Sequence, residues 1–303
     1  MKIPQILPPT ELSDRVLAER YVRHPGPYAI AKGWQQDLEK IFPGIMNTPY
    51  DQTQFEDVYG QLGPSETELL HRVVSWLNPK VLVEYGTAYG RSTRAMTELS
   101  PKDARILTVD LPDKERADIQ TPYSTDTAFV RMRELQIGEK YKDSPEAYKV
   151  NQVRTNILSD ETLDLIASAS LPVLNAEFKK MLKEGKVIRK SFVETLDAFL
   201  NAQTIDFAFI DAAHDYFTTA ALFELNLPRL SAGGVILTDD YNKPSTHIGV
   251  SEYFATKARE EGFVFYHFNP TPQPMEFRDP RQGGIIFLNL PEAKNREWRA
   301  RVK

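Results

Sequence analysis

Two apolar runs that end in acid carry the clearest chemistry in this sequence. IDFAFID closes on Asp211, and GGVILTDD closes on Asp239 and Asp240. If the two runs are neighbouring parallel strands, three carboxylates meet at one edge of a sheet. Such a cluster repels itself unless a cation sits in it, and open α/β sheets hold their ligands at that edge. His214 follows Asp211 by three residues, where an imidazole can take a proton near neutral pH. With no cysteine in the chain and no adjacent histidine pair, three carboxylates favour Mg²⁺, with Mn²⁺ and Ca²⁺ open to the same ligands. His247 in DDYNKPSTHIG is a weaker candidate for substrate contact. Tyr216 and Tyr241 suit either a pocket wall or ordinary packing.

A second constellation lies earlier, in VLVEYGTAYGRST, which carries Glu84, Gly86, Thr87, Gly90 and Ser92. Gly86 allows a tight turn, Gly90 is expected to let the backbone approach a ligand, and the following helix N-terminus offers free N–H groups. The spacing is neither the dinucleotide fingerprint nor a phosphate-binding loop. An acid inside the turn repels phosphate and suits a cationic or zwitterionic ligand. The next strand ends at Asp110, where a carboxylate can accept two hydrogen bonds from a ribose diol.

These residues need a scaffold that brings strand ends together. From residue 63 onward the chain alternates short apolar runs with amphipathic segments, the pattern of a doubly wound, Rossmann-like α/β sheet. Ser65 and Glu68 read as a capping box at the start of the first helix, which Asn78-Pro79 stops. VLVEYG, RILTVD, KVIRKSF, IDFAFID, GVILTDD, FVFYHF and GGIIFLNL read as strands. About 75 residues separate RILTVD from KVIRKSF, far more than a crossover needs. With helical patterns in TAFVRMREL and VLNAEFKKMLKEG, residues 112–185 read as a crossover plus a helical, lid-like insertion, with an oligomerisation arm as the alternative. Residues 1–62 show no strand rhythm and form an extension, packed on the main domain or lining a dimer interface or substrate pocket. The main domain is taken as 63–303.

Composition narrows the classes. The chain has 303 residues, 41% hydrophobic and 26% charged, with a net charge of -5, and its sequence pI is about 5.7. That balance advertises neither a nucleic-acid nor an anionic-membrane partner. The absence of cysteine removes disulfides and thiolate chemistry. No signal-peptide pattern or membrane-spanning run is visible, so a cytoplasmic protein is expected.

The ordered set EYGTAYGRST, TVD, FIDAAHDY and LSAGGVILTDD resembles class I S-adenosylmethionine-dependent methyltransferases. Within them it is similar to the metal-dependent O-methyltransferases, the group of the catechol, caffeoyl-CoA and macrolide-sugar enzymes. The resemblance covers roughly residues 63–290 and omits the extension and the insertion. It implies a seven-stranded, mostly parallel sheet with an antiparallel last strand, GGIIFLNL. It also implies that Glu84, Gly86 and the turn through Thr87, Gly90 and Ser92 hold the methionine part of S-adenosylmethionine, and that Asp110 holds the ribose. Asp211 is shared between the cofactor and the metal, Asp239 and Asp240 complete the metal set, and His214 is the base. Asp240 stands where the catechol branch has asparagine, which leans toward a sugar-like or other natural-product diol.

The implied reaction is Mg²⁺-dependent methyl transfer to a hydroxyl of a small-molecule acceptor. No nucleic-acid or membrane partner is expected, and a homodimer or higher homo-oligomer is left open. The competing readings are an N-methyltransferase or other protein binding the same cofactor, a nicotinamide-dependent oxidoreductase, and a non-catalytic binding module. The first would want N-P-P-Y or D-P-P-Y and the second G-x-G-x-x-G; the chain has neither.

Overall fold

The strand-end acids stand side by side because the apolar runs preceding them pair in parallel. The structure, a computed structural model, describes residues 35, 38, 39, 42–50, 62, 64–112, 137–168, 171–212, 216–239, 253, 254, 257, 266–268 and 284–288. Strand β1 (Val81–Tyr85) pairs in parallel with β2 (Arg105–Asp110) and with β4 (Ile205–Ile210). β2 pairs in parallel with β3 (Val150–Arg154), and β4 with β5 (Leu230–Thr238). Beyond these five parallel strands, β7 (Gly284–Leu288) runs antiparallel to β5, and β6 (Tyr266–Phe268) antiparallel to β7. The order is β3-β2-β1-β4-β5-β7-β6.

The period-2 alternation of each strand sorts the sheet into two faces. Val83, Tyr85, Leu107, Val109, Ala208, Ile210 and Ile236 belong to one apolar cluster. Helices α5 (Leu171–Lys183), α6 (Lys190–Leu200) and α7 (Tyr216–Asn226) contribute to it. Leu82, Ile106, Phe207, Phe209, Val235 and Leu237 belong to the other cluster, with helices α1 (Pro64–Leu77) and α2 (Arg91–Leu99). Leu38, Phe42 and Ile45 of the N-terminal region are fully buried in this second cluster, and the Phe42 ring meets Trp76 edge-on at 5.0 Å. Burying each such side chain is worth about 1.5–3 kcal/mol.

Several sequence expectations change. The third strand is VNQVR, not KVIRKSF. β3 is an edge strand, half-buried along most of its length, and an edge strand needs no continuous apolar run. In KVIRKSF, Val187 is buried in the core, but Ile188 makes only an isolated antiparallel bridge to Leu158. The supposed single insertion is therefore split: β3 lies inside it, followed by α4 (Asp160–Ser168) and α5. Helix α1 starts at Pro64, so Ser65 lies within it, and Glu68 accepts from Arg72 Nε at 2.7 Å and Gln35 Nε2 at 3.1 Å. Gly233 and Gly234 lie in β5 beside a register shift between Ile205 and Phe207. TAFVRMREL lies outside the described residues. Among the described residues no helix is long and apolar enough to cross a membrane.

Candidate functional site

Val109, Tyr85, Ile210 and Thr238 form one continuous row across β2, β1, β4 and β5. The next residue on each strand is Asp110, Gly86, Asp211 or Asp239. Three backbone bonds carry the ladder up to this second row: Gly86 N donates to Val109 O at 2.8 Å, Asp211 N to Tyr85 O at 2.9 Å, and Asp239 N to Ile210 O at 3.0 Å. The alternation assigns all four positions to the Leu82–Phe207–Val235 face, the one packed by α1 and α2. Asp110, Asp211 and Asp239 are each partly exposed. Asp240, His214, Tyr241 and His247 lie outside the described residues. Among the described residues no group of three or more histidine, aspartate or glutamate side chains gathers closely enough to hold a metal.

Gly86 holds the junction of two strands together. Its φ is +100°, and a Cβ there would stand 2.0 Å from the carbonyl oxygen of Asp211. Only glycine admits that approach. Ala88 follows with φ +44°, a left-handed conformation that costs an L-residue about 1–2 kcal/mol. The turn is held by Asp110, whose Oδ2 accepts from Ala88 N at 2.7 Å, while its Oδ1 accepts from Leu111 N at 2.7 Å. The acid read as a ribose ligand thus also fixes the glycine turn.

Glu84 sits one layer below. It is fully buried, its register partner on β2 is Thr108, and its Oε2 accepts from Thr93 Oγ1 and Thr108 Oγ1, each at 2.5 Å. Thr108 Oγ1 in turn lies 2.6 Å from Thr87 Oγ1. Oε1 has no hydrogen bond of good geometry. Burial pushes the carboxyl up to about 7; the hydroxyls of Ser92, Thr108 and Thr93 hold it down, and the charge of Asp211 adds to the rise. Thr87 and Ser92 are buried with it. The five expected loop residues therefore form two layers: Gly86 and Gly90 shape the turn, while Glu84, Thr87 and Ser92 lie in a hydroxyl-lined floor.

Gly90 also packs against the chain itself. At φ +88° it caps α2 with no side-chain cap bond. A Cβ on it would lie 2.8 Å from Gly138 Cα and 2.9 Å from Tyr141 Cδ1. The close approach is to another part of this chain. That segment, with Glu139–Lys142 as the short helix α3, donates Gly138 N to Ala88 O at 2.9 Å and Lys140 N to Tyr89 O at 3.0 Å. Sequence reasoning missed Gly138, Tyr141, Thr93 and Thr108. The one available signal was a lone glycine in the polar stretch QIGEKY.

An acid-lined strand edge with a strained glycine turn can hold a ligand that carries hydroxyls and positive charge. A family model described as "Methyltransferase domain" matches residues 83–241, just over half of the 303-residue chain. No curated protein matches in sequence. Among solved structures, the O-methyltransferase TomG from Streptomyces achromogenes, involved in tomaymycin synthesis and solved with SAM, is 15% identical with a TM-score of 0.45; the match covers 76% of this chain and 82% of TomG. An O-methyltransferase from Bacillus cereus solved with SAH is 14% identical with a TM-score of 0.42, covering 84% of this chain and 97% of the other. On the family match, the chain belongs to the methyltransferase-domain family and is a methyl-transferring enzyme.

Proposed function

We propose that the enzyme moves a methyl group from S-adenosylmethionine to a hydroxyl of a small natural-product or sugar-like diol, with a divalent cation, Mg²⁺ first, beside the acceptor. The single observation that carries this reading is the row Asp110–Gly86–Asp211–Asp239 along one sheet edge. A cofactor with both a ribose diol and a cationic amino-acid arm matches Asp110 at one end and the turn over Glu84 at the centre. Asp211 and Asp239, neighbours in the ladder, supply the hard oxygen donors that Mg²⁺ takes; Asp240 adds a third by sequence.

When bound, the donor presents an electrophilic methyl on its sulfonium, and the cation lowers the pKa of a coordinated hydroxyl and fixes its direction. The chain's own residues do the rest. Asp110 and the glycine turn orient the donor, and such alignment can supply about 7–11 kcal/mol of the barrier. Asp211 and Asp239 would hold the cation, and His214 would take the acceptor's proton. Acceptor specificity is assigned to residues 112–185, the N-terminal region and the loop 241–249. In this reading the enzyme is cytoplasmic and serves secondary metabolism.

The test is methyl transfer from labelled S-adenosylmethionine to vicinal-diol acceptors, with Mg²⁺ and then with excess chelator. Product that forms with Mg²⁺ and stops in chelator supports the reading. Asp211→Ala is expected to remove turnover and its metal dependence together, and His214→Ala to slow turnover by about 10²-fold or more. An Asp211→Ala variant that stays active and metal-stimulated contradicts the cation assignment. An unchanged His214→Ala rate demotes His214 to packing.

A further inference from the structure

Neither Arg154 nor Thr155 entered the donor site, yet both are bonded to the chain at its ribose end. Arg154 is the last residue of β3, and its register partner on β2 is Asp110. The strand-end row therefore continues past Asp110 to Arg154. Thr155 N donates to Asp110 O at 2.9 Å. One residue further out the donor is a side chain: Arg154 Nε donates to Leu111 O at 2.8 Å. The end of β3 thus grips two successive carbonyls of β2, one with its backbone and one with its guanidinium.

The Leu111 amide lies between those two carbonyls, and it is the amide that donates to Asp110 Oδ1 at 2.7 Å. Ala88 N donates to Oδ2 at 2.7 Å. Each carboxylate oxygen is tied to backbone, so the plane of the carboxylate is set, and each keeps a lone pair for a ligand. Rotation of the Leu111 peptide would take the donor from Oδ1. Pro112 follows, and its ring nitrogen has no N–H with which to anchor the chain beyond Leu111. The planar guanidinium supplies that anchor from the neighbouring strand.

We propose that Arg154 is a positioning residue for the methyl donor: by holding Leu111 it keeps the Asp110 carboxylate in the orientation that meets both hydroxyls of the ribose. A vicinal diol makes two bonds to one carboxylate only when both oxygens face it together. A carboxylate free to turn meets one hydroxyl at a time. The proposal rests on the S-adenosylmethionine reading above, in which Asp110 takes the ribose.

The test is calorimetry on the full chain with S-adenosylhomocysteine and its 2′-deoxyribose analogue, titrated into the native protein, Arg154→Met and Asp110→Asn. The native protein is expected to prefer the ribose ligand by about tenfold or more, the scale of a hydrogen bond to a charged group. Arg154→Met is expected to cut that preference to about threefold or less, as is Asp110→Asn. An Arg154→Met variant that keeps the full preference, even with both ligands weakened equally, overturns the proposal and leaves the cofactor reading intact. A native protein that binds neither ligand, or both alike, overturns the ribose assignment and the proposal with it, as does an Asp110→Asn variant with the native preference. If Arg154→Met does not fold, Arg154→Gln is judged by the same ratio.

Discussion

Gly86 and Asp211 touch backbone to backbone at the centre of the candidate site: the position a Cβ would occupy on Gly86 is 2.0 Å from the Asp211 carbonyl oxygen. The contact joins the end of β1 to the end of β4, and so joins the expected cofactor turn to the expected cation edge. No side chain fits there. Glycine at this point is required by the chain's own packing before any ligand arrives.

Gly86→Ala is therefore expected to be costly. The φ of +100° alone disfavours alanine, and the clash is with backbone, which cannot rotate away. A loss of at least about 3 kcal/mol is expected in chemical denaturation, together with loss of cofactor binding. A variant within about 0.5 kcal/mol of native would show that the two strand ends are not in contact.

Glu84 gives the protein a pH-dependent weakness. Its carboxyl rises from an ordinary 4.5 to about 7 in the folded state, so the folded state binds this proton more tightly than the unfolded one. The stabilising contribution is fully present below about pH 4.5 and is lost as pH rises through about 7. At about 1.4 kcal/mol per pKa unit the loss is on the order of 3 kcal/mol by pH 8. Glu84→Gln removes the titration. The stability difference between variant and native protein is expected to grow in the variant's favour from pH 5 to pH 8. A difference that stays constant over that range would mean Glu84 does not titrate there.

Gly138→Ala tests how the β2–β3 segment is attached. At φ +74°, and with Tyr141 Cε1 2.3 Å from the would-be Cβ, alanine must push the tyrosine or the segment off the turn. The amides of Gly138 and Lys140, which donate to Ala88 and Tyr89, are expected to lose at least about tenfold of their hydrogen-exchange protection. Unchanged protection would show that the turn holds the segment without the tight glycine pair.

Much of this was legible in the sequence because buried parallel strands are short, continuous and apolar. VLVEY, RILTVD, IDFAFI and GVILT read directly, and their parallel register brought Asp110, Gly86, Asp211 and Asp239 into line. The edge strand VNQVR stayed hidden because one open side relieves it of apolar residues, whereas KVIRKSF misled because Val187 is buried without joining the sheet. Glu84 was readable as an acid of the turn, but not as a buried one: Thr93 and Thr108 reach it from α2 and β2, 9 and 24 residues away. Tyr141 lies 51 residues beyond Gly90 in the chain, and no local pattern connects a tyrosine to a glycine at that distance. His214 and Asp240 remain assignments of the sequence.

The most direct test of the central claim, that the strand-end row is a methyl-donor site, is calorimetric titration of S-adenosylmethionine into the native chain and into Asp110→Asn. The native protein is expected to bind, with Asp110→Asn weakening it by about tenfold or more, the scale of a lost hydrogen bond to a charged group. Absence of binding by the native chain at millimolar ligand, or an Asp110→Asn variant that binds equally well, would contradict it.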